Sequence, residues 1–315
     1  MKRLWVCALF MLSIPCFAEL MFSPEGRIVT KDSNGRIVVY TDKDQDGSFD
    51  VVECLAQNGI RSVIMPSSGR IILQGVGVTV YIDSDGDGHY ESQNTLATAN
   101  VSNVTLTSNG RIIIKDKTGK LTIFSDSDGN GTYDVYHNLA AGGVQDMSIL
   151  SGSRILLRYK DGKLVSLKDT DNDATFEIVE TIAPSGVDWF TTSGSLQVYY
   201  RIKGIVTVVG DYDDDGIFEK LFKFPMENVS NVTLTGDNRI FLQNSNGGLT
   251  EYYDKNKDMT FGTSQQLIIS GMRGFSIPTD GKVIIEGNDG SVAIYWDKNK
   301  DGIYETSSMF AAEKK

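Results

Sequence analysis

The segment Asp42-Lys-Asp-Gln-Asp-Gly-Ser-Phe-Asp50 returns six more times along the chain. The first aspartates of successive copies are 41, 43, 43, 42, 43 and 43 residues apart. The other copies occupy residues 83–91, 126–134, 169–177, 211–219, 254–262 and 297–305. Seven copies at so steady a period indicate a repeat protein, in which each copy belongs to one supersecondary unit.

The residues around each acidic segment predict four short β-strands per repeat. In the third repeat the predicted strands are Val104–Thr107, Arg111–Lys115, Leu121–Phe124 and Tyr133–Tyr136. Short apolar or alternating runs between Gly, Asn and Asp turns are typical of hairpins, and no stretch has helical periodicity. Four strands in about 43 residues correspond to one propeller blade. The sequence therefore predicts an all-β, seven-bladed β-propeller of antiparallel blades, with each acidic loop between the third and fourth strands. Blade one is expected to begin at Leu20 and blade seven to end near Phe310.

The first eighteen residues have the pattern of a secretory signal peptide. Lys2 and Arg3 precede the mostly apolar run Leu4–Pro15, and the segment ends at the small residue Ala18. We expect cleavage near Ala18 and a single propeller domain over residues 19–315, secreted or periplasmic. The apolar run is too short to span a membrane, and no later segment is long and apolar enough to do so.

The net charge of the chain narrows the classes of molecule that it could bind. The formal net charge is −11, which argues against nucleic acid and anionic membranes as partners.

Only Cys54 lies beyond the expected cleavage site, so the mature chain cannot form an internal disulfide. Bound metal is another means of stiffening the loops of an exported protein.

The composition of the acidic loop predicts a calcium site. Positions 1, 3 and 5 are Asp or Asn in every copy, position 8 is always aromatic, and position 9 is acidic in six copies. Position 6 is glycine except at Ala174 and Met259, and glycine permits backbone angles that side chains resist. Calcium takes 6–8 oxygen ligands from a flexible loop, whereas magnesium requires a stricter octahedron. The alternative is a solvated acidic turn without metal.

The predicted calcium ligands are the side chains at positions 1, 3, 5 and 9 of each copy. They are Asp42, Asp44, Asp46, Asp50, Asp83, Asp85, Asp87, Glu91, Asp126, Asp128, Asn130, Asp134, Asp169, Asp171, Asp173, Glu177, Asp211, Asp213, Asp215, Glu219, Asp254, Asn256, Asp258, Asp297, Asn299, Asp301 and Glu305. The sixth loop, with Met259 and Gly262, is the one expected to have lost its ion. The chain is thus expected to hold about six or seven calcium ions.

The EF-hand loop begins in the same way but has different requirements further on. It needs a bidentate glutamate at position 12 and a helix on either side. Only Glu53 and Glu180 supply that glutamate among the seven copies, and the flanks read as strands. Dockerin and thrombospondin type-3 loops lack the 43-residue β spacing seen here.

The DxDxDGxxD loop between two strands of a blade resembles the FG-GAP/VCBS repeats of integrin α-chains and many bacterial secreted proteins. The resemblance covers all seven repeats and rests mainly on the loop. It implies a seven-bladed propeller with calcium at its rim and with binding carried out by other surfaces.

Two functional classes stay open. The first is a monomeric binding module for a glycan or protein partner, in which calcium is mainly structural. Its ligand face is expected to include Arg61, Trp189 and Arg273, although Trp189 could equally pack in the core. The second is an enzyme, such as a quinoprotein-type sugar dehydrogenase or a polysaccharide-active enzyme. The only histidines, His89 and His137, are expected at the rim, and no nucleophile motif is present, which favours the binding module.

Overall fold

The computed structural model describes residues 17–23, 26–66, 69–151, 153–193, 197–268, 270–278, 281–299, 301–304 and 306–310. These ranges contain 28 β-strands and no helix; accordingly, they include no helix long and apolar enough to cross a membrane. Most of the expected signal peptide, residues 1–16, falls outside the described residues.

The strands form seven four-stranded sheets, here termed blades one to seven. Blade one contains β1 (Phe17–Phe22), β2 (Ile28–Asp32), β3 (Ile37–Thr41) and β4 (Val51–Ala56). Blade two contains β5 (Ser62–Ile64), β6 (Arg70–Gln74), β7 (Val78–Ile82) and β8 (Ser92–Ala97). Blade three contains β9 (Val101–Leu106), β10 (Ile112–Asp116), β11 (Leu121–Ser125) and β12 (Val135–Ala140). Blade four contains β13 (Val144–Ser151), β14 (Arg154–Tyr159), β15 (Leu164–Lys168) and β16 (Ile178–Ala183).

The remaining three blades follow the same plan. Blade five contains β17 (Val187–Ser193), β18 (Gln197–Ile202), β19 (Ile205–Gly210) and β20 (Lys220–Lys223). Blade six contains β21 (Val229–Leu234), β22 (Arg239–Asn244), β23 (Leu249–Tyr253) and β24 (Thr263–Ile268). Blade seven contains β25 (Met272–Ser276), β26 (Lys282–Gly287), β27 (Val292–Trp296) and β28 (Thr306–Phe310).

Each blade takes its four strands in chain order from one continuous stretch of sequence. In blade three, Ile113 of β10 lies opposite Thr105 of β9 on one side and Ile123 of β11 on the other, both antiparallel. The predicted all-β class and the seven four-stranded antiparallel blades of a β-propeller are confirmed. By their internal contacts the residues group into two compact units, one running to Arg154 and including Lys168–Glu177, the other containing Ile155–Leu167 and the chain from Ile178 onward.

The strand bounds differ from the prediction in several places; the first strand of blade three, for example, begins at Val101 rather than Val104. The fourth strand of blade three begins at Val135 rather than Tyr133, because Tyr133 and Asp134 still belong to the acidic loop. His137, expected after that strand, therefore lies within β12. β1 begins at Phe17, so cleavage after Ala18 would shorten this strand by two residues.

The hydrophobic core lies between consecutive blades. One buried cluster joins Val80 of blade two to Ile112 of blade three, and another joins Val208 of blade five to Leu242 of blade six. The second strands are buried in consecutive positions, as in the run Ile112–Ile114, because both faces of the blade are covered there. The fourth strands of blades three and four alternate between half-buried and exposed side chains, so each forms the outer, more exposed edge of its blade.

Candidate metal centre

Each acidic segment fills the connection between the third and fourth strands of its blade. In blade two, for example, β7 ends at Ile82, the loop runs from Asp83 to Glu91, and β8 begins at Ser92. The same arrangement holds in the other six blades. The predicted position of the loops is therefore confirmed.

The aspartate at position 1 closes every loop. Its Oδ2 atom accepts a hydrogen bond from the backbone N–H of position 6 at 2.9 to 3.0 Å in all seven copies. Its side chain is the deepest of the predicted ligands: Asp83 and Asp169 have fully buried carboxylates. The loop thus folds around a carboxylate that is already withdrawn from water.

The other carboxylates stay at the surface and are held by short-range hydrogen bonds. Position 5 accepts from the N–H of position 7, as in His89 to Asp87 at 2.8 Å. Position 9 accepts from the N–H of position 2, as in Thr170 to Glu177 at 2.8 Å. Backbone hydrogen bonds from Ser84 and Thr170 lower the pKa of Glu91 and Glu177, so both are ionised at neutral pH.

In four of the loops the carboxylates converge on one point. An oxygen from each of Asp83, Asp85, Asp87 and Glu91 lies within 4.8 Å of the others. The equivalent four residues of the fourth and fifth loops meet the same limit. In the first loop, the residues that meet it are Asp42, Asp44 and Asp50.

The buried aspartates test whether a cation fits these loops. Among the described residues, the Oδ1 atoms of Asp42, Asp126 and Asp169 are buried and have no hydrogen-bond partner. A buried carboxylate oxygen without a partner is costly, and a hard cation in the loop would satisfy it. The donor set consists only of oxygens, which is the set calcium prefers.

The remaining loops differ from these in composition. Asn130, Asn256 and Asn299 offer amide oxygens at positions 3 or 5, which calcium also accepts. The sixth loop has Gly262 at position 9 and so lacks that carboxylate. The seventh loop should use Glu305, which lies outside the described residues.

The aromatic residue at position 8 packs between blades rather than within one. Tyr90 joins the cluster of Val29 and Val39 from blade one and Ile71 from blade two. Tyr133, Phe261 and Tyr304 are buried in the equivalent clusters. This residue anchors the loop to the core formed with the preceding blade.

Sequence reasoning missed two sets of side chains that hold the loops from outside. The first is an arginine at the start of the second strand of the preceding blade, which contacts the position-1 aspartate: Arg27, Arg70, Arg111 and Arg239. The second is the residue at position 12 of the preceding loop, which accepts the N–H of position 8: Glu53, Glu180 and Gln265. The recurrence of Arg before an apolar strand at the repeat period was the signal available in the sequence.

The predicted ligand-face residues lie in different surroundings. Trp189 is partly buried and packs against the cluster that contains Val206 and Val208. The backbone carbonyl of Arg61, an exposed residue, accepts a hydrogen bond from Lys31 Nζ at 2.7 Å. Arg273 is 70% exposed, is paired with Glu286 at 3.0 Å, and lines a groove of about 940 Å³.

That groove lies between the first strands of blades six and seven. Its walls include Asn231 and Thr233 from β21 and Phe275 from β25. A groove of about 540 Å³ lies at the matching position between β9 and β13, with Asn103 and Thr105 on one wall. Both grooves are lined by polar and apolar side chains.

No model of a known protein family matches the chain. No curated protein sequence matches it either. Among solved structures it is similar to Hsv2 from Kluyveromyces lactis, at 9% identity and a TM-score of 0.46, over 94% of this chain and 98% of that one. It is also similar to the WD40 domain of SCAP from fission yeast, at 10% identity and a TM-score of 0.46, over 95% of this chain and 88% of that one. A 6-phosphogluconolactonase described as putative, from Bacteroides fragilis, is similar at 15% identity and a TM-score of 0.40, over 94% of each chain.

Proposed function

We propose that this chain is an exported, calcium-binding β-propeller of the FG-GAP/VCBS type that acts as an interaction module. The observation that carries the calcium part is the buried position-1 carboxylate. One of its oxygens accepts a hydrogen bond from the loop backbone, and in Asp42, Asp126 and Asp169 the other has no hydrogen-bond partner within the described part of the chain. In an acidic turn that served only solubility, both carboxylate oxygens would be expected to contact water, because burying one without a partner costs free energy.

Calcium is proposed to be mainly structural. The loops are many and alike, and each closes the connection between two strands of its own blade. Extracellular calcium modules have dissociation constants of about 10⁻⁴–10⁻³ M. At calcium tenfold above such a constant each site adds about 1.4 kcal/mol, so six sites add about 8 kcal/mol. That sum is comparable to the whole stability of a typical domain.

Calorimetric titration of calcium into metal-stripped mature protein tests this proposal, with thermal melts in calcium and in chelator alongside. We expect about five to seven binding events and a melting temperature that falls steeply in chelator. Absence of binding, together with the same melting temperature in calcium and in chelator, would refute the calcium proposal and leave the acidic turns with a role in solubility only.

We propose that the partner binds in one or both of the two grooves described above, between β21 and β25 and between β9 and β13. The groove beside Arg273 combines hydrogen-bonding groups such as Asn231 with the aromatic Phe275, a mixture suited to a glycan or to a polar protein segment. A glycan array probed with the calcium-loaded protein tests the first form, with Arg273→Ala and Lys223→Ala as a matched pair, since Lys223 is an exposed cation on β20 that does not line the groove. Equal binding by both variants would remove this groove from the proposal.

The enzyme alternative stays open and is tested separately. His89 is 61% exposed within the second loop, and His137 is half-buried on the outer strand β12. Turnover of sugars with an electron acceptor, or absorbance from a bound quinone, would favour that alternative.

A further inference from the structure

Four position-1 aspartates are held by an arginine from the blade before their own. The ion pairs are Arg27–Asp83, Arg70–Asp126, Arg111–Asp169 and Arg239–Asp297. The arginine side chains are only 5 to 19% exposed. Each ion pair therefore joins an arginine and an aspartate that are 56 to 58 residues apart in sequence and largely shielded from water.

The fourth loop shows how the arginine divides the two oxygens of the aspartate. Oδ2 of Asp169 accepts from Arg111 Nη1 at 2.5 Å and from the N–H of Ala174 at 3.0 Å. Oδ1 of Asp169 is buried and has no hydrogen-bond partner among the described residues. Arg111 Nη2 also donates to the backbone carbonyl of Asn172, at position 4 of the same loop. The guanidinium thus links the aspartate to the loop that carries it, and it leaves Oδ1 of the carboxylate available to another partner.

A second contact from the preceding blade holds the far side of the loop. Glu53 accepts the N–H of Tyr90 at 3.0 Å, Glu180 accepts that of Phe218 at 3.0 Å, and Gln265 accepts that of Tyr304 at 2.8 Å. These N–H groups belong to position 8, beside the predicted ligand at position 9. In the second and seventh loops, where both contacts are present, the preceding blade therefore holds the loop at position 1 and at position 8.

We propose that Arg27, Arg70, Arg111 and Arg239 are positioning residues for the cation site of the following blade, and that cation binding thereby fixes the packing of two consecutive blades. This inference rests on the proposed function, since it assigns these arginines to the same loops. A ligating carboxylate held by a second hydrogen bond is preorganised for its metal, and loss of such a partner typically costs about 10–100-fold in affinity.

The sixth loop provides a natural comparison. The blade before it has Gln197 where the other blades have arginine or, in blade seven, Lys282. The same loop has Gly262 instead of a carboxylate at position 9. The loop with the weakest set of predicted ligands is thus the one whose preceding blade lacks the cationic side chain.

A double-mutant cycle on the fourth loop tests the proposal. Calcium sites are counted and their affinities measured by calorimetry for wild type, Arg111→Gln, Asp169→Asn and the double variant. We expect Arg111→Gln to weaken one site about 10–100-fold, Asp169→Asn to remove one site, and the double variant to lose no more than Asp169→Asn alone. Arg111→Lys, which keeps the charge but not the two-pronged hydrogen bonding, should weaken the same site and serves if Arg111→Gln does not fold.

The control is Arg201→Gln. Arg201 also crosses to the next blade, donating to the backbone carbonyls of Val229 and Ser230, and its hydrogen bonds within the described ranges include none to an acidic loop. We expect this variant to keep every site at wild-type affinity. Unchanged site affinities in Arg111→Gln or Arg111→Lys, with one site lost in Asp169→Asn, would overturn the positioning role while leaving calcium binding intact. A wild-type protein that binds no calcium would instead refute the proposed function.

Discussion

At the scale of single residues, the backbone at position 6 is fixed by a hydrogen bond rather than by residue type. Five of the loops have glycine there, with φ between +94° and +104°. Ala174 and Met259 adopt φ of +75° and +61° at the same position. In both cases the N–H still donates to the position-1 aspartate, so the loop imposes a left-handed angle even where a side chain resists it.

Two glycine substitutions separate backbone strain from crowding. Gly47 and Gly302 share nearly the same angle, φ of +94° and +95°. An added Cβ at Gly47 meets no heavy atom within 4 Å, whereas at Gly302 it would lie 2.1 Å from Tyr253 Cδ1. We expect Gly47→Ala to lower the free energy of unfolding by about 1–2 kcal/mol and Gly302→Ala to cost about 1–3 kcal/mol more. Urea unfolding in saturating calcium measures both; equal losses would contradict the crowding argument.

At the scale of elements, the fourth strand of one blade supports the loop of the next. Position 12, counted from the first aspartate of each loop, shows no pattern in the sequence: it is glutamate in two copies, glutamine in one and other residue types in the rest. In space, Glu53 on β4 and Gln265 on β24 make the same hydrogen bond to the following loop. Position 12 contributes a side-chain oxygen as acceptor, and a negative charge is not required. Because both glutamate and glutamine supply that oxygen, the sequences of the seven copies show no single conserved residue type at this position.

Substitution of Glu53 tests this support. Glu53→Ala should lower the free energy of unfolding by about 1–3 kcal/mol, because it leaves the N–H of Tyr90 without its acceptor. Glu53→Gln retains an acceptor oxygen, as Gln265 does naturally, and should be close to wild type. Chemical denaturation in calcium distinguishes them, and an alanine variant as stable as the glutamine variant would show that the contact contributes little.

Strand β23 carries a buried carboxylate at a core position. Glu251 is 1% exposed, whereas the equivalent residues include Val39, Val80 and Ile123. Its Oε1 accepts from Arg239 Nη1 at 2.7 Å. Burial raises the pKa of Glu251 to about 7, with Arg239 opposing the rise.

The raised pKa of Glu251 predicts a pH dependence of stability. Between the ordinary pKa of 4.5 and about 7, the folded protein holds a proton that the unfolded chain releases. The free energy of unfolding should therefore fall as pH rises through this interval, by up to about 3 kcal/mol, and level off above it. Glu251→Gln removes this contribution, so its stability at constant calcium should fall less between pH 4.5 and 7. Parallel profiles for the two proteins would contradict the assignment.

At the scale of the whole molecule, charge links the loops to stability. The formal charge of −11 becomes about −13 if Lys2 and Arg3 are removed with the signal peptide. Six divalent ions would bring the total to about −1. Without metal, the clustered carboxylates repel one another, and that repulsion opposes the folded state.

Salt should therefore stabilise the metal-free protein selectively. In chelator, raising sodium chloride from low ionic strength to about 0.5 M shortens the screening length well below 10 Å and should raise the melting temperature. In saturating calcium the same change should have a much smaller effect, because most of the charge is already neutralised. Melts followed by circular dichroism at several salt concentrations measure both slopes, and equal slopes would show that loop repulsion is not a major term.

The sequence by itself determined the repeat, the all-β class and the position of the acidic loops between the third and fourth strands. The reason is that these features are local: the four strands of a blade and its acidic loop lie within one continuous stretch of chain, as Asp83–Glu91 lies between β7 and β8. Turn residues and alternating apolar residues are sufficient to specify such hairpins. Strand bounds were predicted less well, as at Val135, because residues that close a loop also have strand-like composition.

Only the tertiary structure decided which residues support the loops. Arg111 and Asp169 are 58 residues apart in sequence, and Glu53 and Tyr90 are 37 apart. Each pair meets only after two blades have packed, because the core lies between blades and brings the second strand of one against the loop of the next. A periodic sequence shows which positions recur, but recurrence does not show which repeat a side chain will contact; the packing of the blades fixes that choice.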